Sequence, residues 1–464
     1  MTQATQFERL AQAIGSRELN INELVSRKID LVQRANGRLN CFTTIAADYA
    51  MKEASRVQQL LDEGVYLGPL HGVPIAVKDN MDVGGLPTTG ASNALAQLFP
   101  DEDAPVVSQL RRKGAVIVGK TNMYELAAGG VSPKYGDVHN PWDLDKSAGA
   151  SSSGSACAVA AGLVSGATGT DAGGSVRVPA SVCGVVGLKP TFDLVDARGV
   201  IPGSYNIDHV GFLAPDVFGV AAMLDAVTEE FALEEVMGAK WDPRHVSVHV
   251  SNLAGLRVGV PESLENEPIL PNLHSAIARL LAVLQSSGAS VRRIELPDLS
   301  LTGTLMIVIH AVEAAEYHRA LLASRASDLS SGVRHLLALG ETVKATDYVH
   351  CQRVREVVIS QMKKVHEQID ILVLPTLQMG AWPAGAEEID VDGKSENVIA
   401  AITRYTPLFN LTGQPAVSIP CGLSPEGLPL GVQLAGRPHE DAVVLKAARV
   451  YEEAVGPFRL AEVD

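Results

Sequence analysis

Leu70-His-Gly-Val-Pro-Ile-Ala-Val-Lys-Asp-Asn80 contains a short apolar run, Val73 to Val77, entered through a glycine and ended by Lys78. No residue of that run is polar, so neither face of a strand built from it is meant for water. Ala115-Val-Ile-Val118 repeats the pattern, and a helix is expected between Asp103 and Lys113. Buried strands alternating with helices predict an α/β fold, a sheet covered on both faces.

Outward from this pair, the first 65 residues read as helices, since Phe7, Leu10, Ile14 and then Ile21, Leu24, Val25, Ile29, Val32 recur every three or four positions. Leu256–Val260 reads as a strand, with helical spacing from Leu273 to Leu284. Residues 304–367 read as mostly helical, clearest over Ala311–Ala323 and Thr342–Val365. Strands are expected at Ile369–Leu374, Pro415–Ile419 and Pro429–Leu434, and a final helix near Asp441–Ala454. No repeat and no low-complexity linker interrupts the chain, which predicts one domain over 1–464.

The chain of 464 residues carries 38 Lys and Arg against 53 Asp and Glu, a net charge of −15. Such a surface repels phosphate backbones, and no long basic run overrides it, so nucleic acid is not expected as a partner. Hydrophobic residues at 46% with charged residues at 20% describe a globular core rather than a disordered chain. The start of the chain lacks a basic segment followed by an apolar one, so no secretory signal is expected. The stretch Ala156–Ala167 is too short for a membrane span. Five scattered cysteines, Cys41, Cys157, Cys183, Cys351 and Cys421, form no Cys-x-x-Cys pair. They argue against a disulfide framework and for a cytoplasmic location.

Two motif matches are set aside. Gly114-Ala-Val-Ile-Val-Gly119-Lys120-Thr121 fits the phosphate-loop pattern, but its four intervening residues want to be a strand rather than a turn of amides. Ser360-Gln-Met-Lys363 pairs a serine with a lysine inside a charged helical stretch and has no partner motifs. The twelve histidines show no ligand spacing, so no metal site is expected.

Chemistry concentrates in two glycine- and serine-rich runs, Ser147–Gly162 and Gly169–Pro179. In the first, Ser153 or Ser155 suits capping of a helix that begins near Ala156, or a phosphate at that helix start. In the second, the successive amides of Gly173, Gly174 and Ser175 can converge where an oxyanion would form. Ser175 then stands where an acyl-transfer nucleophile belongs. It is not the α/β-hydrolase elbow, because Arg177 occupies the closing glycine position. A serine nucleophile needs a base, and no histidine motif offers one. Lys78 ends an apolar strand, where burial would lower its pKa and let it accept a proton.

Together the segment 70–80, the serine run and Gly169-Thr-Asp-Ala-Gly-Gly-Ser175-Val-Arg-Val-Pro-Ala resemble the amidase signature family. The resemblance extends from about Ile21 to Glu452. It takes in Lys120-Thr-Asn-Met, Asn140-Pro-Trp-Asp143, Cys183-Gly-Val-Val-Gly-Leu-Lys-Pro-Thr191 and Asn410-Leu-Thr-Gly-Gln-Pro-Ala416. It implies a Ser–cis-Ser–Lys triad with Lys78 as lysine, Ser151 as cis-serine and Ser175 as nucleophile. Oxyanion amides would come from Ala172, Gly173, Gly174 and Ser175, with Asp171 and Arg177 holding the loop. Where the family has Gly-Gly-Ser-Ser-Gly-Gly, this chain has Gly149-Ala-Ser-Ser-Ser-Gly154. The serine that opens the Ser-Ser pair, Ser151, is the family position.

The resemblance further implies a single α/β domain with a large mixed, twisted sheet between helices. Within it, residues 1–65 would form a helical segment, 66–220 the signature core and 304–367 a helical insert at the substrate site. No metal and no cofactor is implied. The expected reaction is hydrolysis of the C–N bond of a small carboxamide or ureido compound, with a homodimer left open. Parts of the chain also resemble amidases acting on biuret derivatives or on indole-acetamide. One alternative is the glutaminase subunit of a glutamyl-tRNA(Gln) amidotransferase, whose Arg-Tyr-Asp-Gly stretch is missing after Ala315. The aspartate expected before Asn410 is also missing, where this chain has Tyr405-Thr-Pro-Leu-Phe409. A silent scaffold on the same fold is the other, disfavoured by intact Lys78, Ser151 and Ser175. Specificity is expected from 123–135, 203–208 and 304–345.

Overall fold

The computed structural model describes residues 4–243, 252–391 and 393–462; Met1 to Gln3, the start of the stretch read for a signal, lie outside them. The apolar runs become strands of one 11-stranded mixed sheet. In chain order these are β1 (Phe42–Ile45), β2 (Pro74–Lys78), β3 (Val116–Thr121), β4 (Gly166–Asp171), β5 (Val186–Lys189), β6 (His209–Ala214), β7 (Arg257–Pro261), β8 (Ser290–Ile294), β9 (Ile371–Pro375), β10 (Ala416–Leu423) and β11 (Pro429–Ala435). They lie side by side as β1-β3-β2-β4-β6-β5-β10-β11-β9-β7-β8. Strand β2 runs parallel to both β3 and β4, whereas β6, β5, β10 and β11 follow in antiparallel pairs. Every residue of β2 and β3 is buried, as runs without polar alternation require.

Helices α1 (Gln6–Gly15), α2 (Ile21–Leu39), α3 (Ala47–Asp62) and α4 (Pro105–Arg112) precede and connect the first strands. One expectation fails here. The first 65 residues are not all helical, because Phe42-Thr-Thr-Ile45 pairs antiparallel with β3. Four residues are too few for a periodic signal, and the pairing depends on a glycine far along the chain. A Cβ on Gly119 would stand 2.2 Å from Thr44 O, so only a bare glycine admits the edge strand. The phosphate-loop glycine is thus a packing glycine.

Helix α5 (Ser153–Ala160) is buried at every residue. It sits directly on backbone, since a Cβ on Gly154 would meet Asn122 O at 2.4 Å and Cys41 O at 2.5 Å. Helices α6 (Arg177–Cys183) and α7 (Val217–Asp225) flank the central strands, and α8 (Pro271–Ser286) covers the far half. The stretch 304–367 forms four helices, α9 (Thr302–Tyr317), α10 (Arg319–Arg325), α11 (Ser331–Thr342) and α12 (Ala345–Gln368). The single helix expected over Ala311–Ala323 is two, parted at the buried His318. The final helix is α13 (Asp441–Val455).

Candidate active site

Parallel pairing places the carboxyl ends of β2 and β4 beside each other, and open α/β sheets bind ligands beyond such ends. Lys78 is the last residue of β2 and is wholly buried. Its Nζ lies 2.8 Å from Ser151 Oγ, 2.9 Å from Ser152 Oγ and 2.8 Å from Thr170 Oγ1. Burial pushes the ammonium down to about 7, with Asp208 and Asp171 pulling it the other way.

The serine run reaches this amine through an irregular turn. Gly149 has a φ of +80°, and a Cβ there would sit 2.6 Å from Pro179 Cα, so the chain passes against the start of α6. The following Ala150–Ser151 peptide is cis. Ser152 precedes the first turn of α5 but leaves the helix uncapped, its hydroxyl turned instead toward Lys78 and Thr170 O. Ser155 also fails as a cap, since it donates to Thr168 O at 2.8 Å. The capping suggested by composition is overridden by the polar cluster beneath the helix.

Asp171, at the end of β4, organises the second run. Its Oδ1 accepts the Gly174 amide at 2.7 Å, and its Oδ2 accepts the Val176 amide at 3.1 Å. Arg177 clasps the same carboxylate through Nε and Nη2, both at 3.0 Å, entirely out of water. Burial alone would raise this carboxyl, yet the guanidinium and Asn410 hold it well below the usual carboxylate range. Asn410 Nδ2 donates to Asp171 O at 2.7 Å, and Arg177 extends to Asn410 Oδ1 and Gln433 Oε1.

This geometry revises the oxyanion expectation. The Gly174 amide is committed to Asp171, which leaves those of Ala172, Gly173 and Ser175 for a ligand. Thr406 Oγ1 donates to Gly173 O, and Met306 of α9 packs against Gly173 from the other side. Ser175 is half-buried. Its carbonyl accepts the Ser152 amide at 3.1 Å, which ties the two runs together. Among the described residues its hydroxyl makes no hydrogen bond. Lys78, Ser151 and Ser152 are therefore joined directly, and Ser175 is joined to them through backbone.

Four residues given no role by sequence share the site, Thr170, Thr406, Asn410 and Gln433, together with Asp208 from a segment expected only to contribute to specificity. Asn410 stood in a recognised stretch without an assigned function, whereas Asp208 and Gln433 are brought in by strands distant in sequence. The segment 203–208 is fixed by α9, where Glu313 bonds Ser204 Oγ and Tyr348 Oη and accepts the Asn206 amide. Lys120 lies elsewhere, paired with Asp79 at 3.1 Å in the wall of β3, and Ser360 and Lys363 are exposed on α12. Among the described residues no group of three His, Cys, Asp or Glu is placed to hold a metal, and no helix is long and apolar enough to cross a membrane.

The family model for amidases matches residues 23–445. An amidase of Pseudomonas putida is 36% identical over 96% of this chain and 95% of its own length. A glutamyl-tRNA(Gln) amidotransferase subunit of Symbiobacterium thermophilum is 34% identical over 94% of each chain. A crystal structure of an amidase superposes with a TM-score of 0.86 at 30% identity, covering 96% of this chain and 99% of that one.

Proposed function

Because the chain belongs to the amidase signature family of amidohydrolases, we propose that it acts alone on a small carboxamide or ureido compound through an acyl-enzyme on Ser175. The observation that carries the reading is the contact of buried Lys78 Nζ with Ser151 Oγ at 2.8 Å. A desolvated lysine with its pKa near 7 is partly neutral at working pH and has a lone pair to offer.

The proton inventory favours Ser151 as the relay. A neutral amine has two hydrogens and one lone pair for three hydroxyl neighbours. Ser152 directs its own hydrogen to Thr170 O at 3.3 Å, so it serves Nζ as an acceptor. Thr170 Oγ1 already accepts from Asn80 Nδ2 at 3.2 Å and has a second lone pair for Nζ. Ser151 Oγ has no other hydrogen-bond partner among the described residues, so its hydroxyl is the one free to donate to the lysine lone pair in the proposed relay.

In the proposed reaction Ser175 Oγ bonds to the carbonyl carbon and gives its proton to Ser151 Oγ, as the Ser151 proton passes to Lys78. The carbonyl π pair moves onto oxygen, where the amides of Ala172, Gly173 and Ser175 stabilise it. Collapse breaks the C–N bond, and the nitrogen leaves with the proton returned through Ser151. Water then repeats the sequence on the ester, freeing the acid and Ser175.

The relative named for an amidotransferase supports a second reading, that the chain is the glutaminase of a complex. The missing Arg-Tyr-Asp-Gly stretch and aspartate weigh against it. Aliphatic amides, aryl amides, ureido acids and glutamine, assayed for ammonia and amine release by the purified chain, decide between the two. Turnover without partners supports the stand-alone enzyme, and turnover of glutamine only with tRNA and a partner protein overturns it.

A further inference from the structure

Behind Thr170, one side chain away from Lys78, lies a cavity of about 400 Å³ bounded by the 191–210 segment and Tyr317 of α9. It is separate from the Ser175 amides, and the proposed chemistry uses none of its other walls.

Two of the residues that line it, His209 and Asp208, hold acceptor atoms without a donor among the described residues. His209 is 4% exposed and sets Nδ1 2.8 Å from Ile207 O. A carbonyl only accepts, so Nδ1 carries the hydrogen and Nε2 presents a lone pair. That buried Nε2 has no partner among the described residues. Burial holds the ring well below its ordinary pKa, so it stays an acceptor. Asp208 takes the amides of Gly203 and Ser204 on Oδ2, at 2.7 and 3.0 Å, and leaves Oδ1 without a donor among the described residues.

Charge points the same way. Asp193, Asp196 and Asp208 line the cavity against the single cation Arg198, which is spent on Asp196 at the rim. Tyr205 and Tyr317, 55% and 44% exposed, meet edge to face at the mouth with centroids 6.1 Å apart, and π faces attract cations. Val200 and Val210 supply an apolar wall. A small N–H donor with a positive charge and a short apolar tail finds a partner for each part.

We propose that this cavity binds a small primary amine in its ammonium form, ammonium or a short alkylammonium, and takes up the amine released by the reaction. Uptake of the released amine rests on the proposed acyl-enzyme reaction; amine binding to the cavity does not. Methylammonium chloride titrated calorimetrically into the full chain, against potassium chloride at matched ionic strength, tests it. The expected result is saturable binding that potassium does not reproduce, weakened by about tenfold in Asp208→Asn and in His209→Phe, as loss of a charge-assisted or buried hydrogen bond implies. Tyr317→Ala, at a half-exposed ring whose loss leaves the fold standing, should weaken it by about two- to fivefold. Absent binding, equal heats with potassium, or binding unchanged in Asp208→Asn and Tyr317→Ala overturns the site. Methylammonium should also inhibit hydrolysis at concentrations that match its binding, and binding without inhibition overturns uptake. If the chain hydrolyses no amide, the reaction fails while the titration still decides the cavity.

Discussion

Asp171 holds the Gly174 amide at 2.7 Å, and through that bond a carboxylate wholly out of water shapes the loop presenting Ser175. The same carboxylate is the counter-ion of Arg177, and both side chains are fully out of water. Removing one partner of such a pair leaves the other charged, buried and uncompensated. Asp171→Asn is expected to lower the unfolding free energy by about 3–5 kcal/mol in urea titration. A loss under about 1 kcal/mol, with activity retained, would show that the loop is held by something else.

Lys78 ties pH to both rate and stability. Its folded pKa is about 7, depressed from 10.5 by burial, and the proposed reaction needs the neutral amine. The rate should therefore fall as pH drops through about 7. Between about 7 and 10 the unfolded lysine binds a proton that the folded one does not, so this group's contribution to stability rises with pH across that window. Lys78→Arg keeps the charge but cannot release its proton. It should be as inactive as Lys78→Ala, each losing about 10²–10⁴-fold in kcat. A folded arginine variant with near-native turnover would remove the lysine from the base role.

Ser151 and Ser152 both touch Nζ, yet their proton directions differ. Ser151→Ala should cost about 10²–10⁴-fold in kcat with a small effect on KM. Ser152→Ala takes from Nζ an acceptor rather than a donor, and is expected to move the acidic limb of the pH–rate profile downward while keeping more activity. The reverse ranking would transfer the relay to Ser152.

Gly119→Ala separates a packing glycine from a phosphate loop. The added methyl would press on Thr44 O, so the edge strand must shift, at about 1–3 kcal/mol. Thermal melting should show that loss, and ATP should leave Tm unchanged in both proteins. Stabilisation of the native chain by ATP would reinstate the nucleotide reading.

What could be read from sequence followed from how local each cause is. Runs such as Val73–Val77 and Ala115–Val118 carry their burial in their own composition, and Lys78 is conspicuous because it breaks one of them. Gly166-Ala-Thr-Gly-Thr-Asp171 hid its strand, since small residues give no apolar signature and the ladder to His209–Leu213 supplies the order. The uncapped start of α5 and the engaged Gly174 amide were illegible for the same reason. Each depends on a group from another element, Lys78 in one case and the Asp171–Arg177 pair in the other. Asp208 and Gln433 carry no local pattern and reach the site only once β6 and β11 are in register.

The central claim is a covalent intermediate on Ser175, and trapping it is the most direct measurement. The purified chain treated with a fluorophosphonate and digested for peptide mass analysis should carry the adduct on Ser175, with labelling lost in Ser175→Ala and slowed in Lys78→Arg. An adduct on Ser151, Ser152 or Ser153 in the native chain, or undiminished labelling of folded Ser175→Ala, would contradict the account.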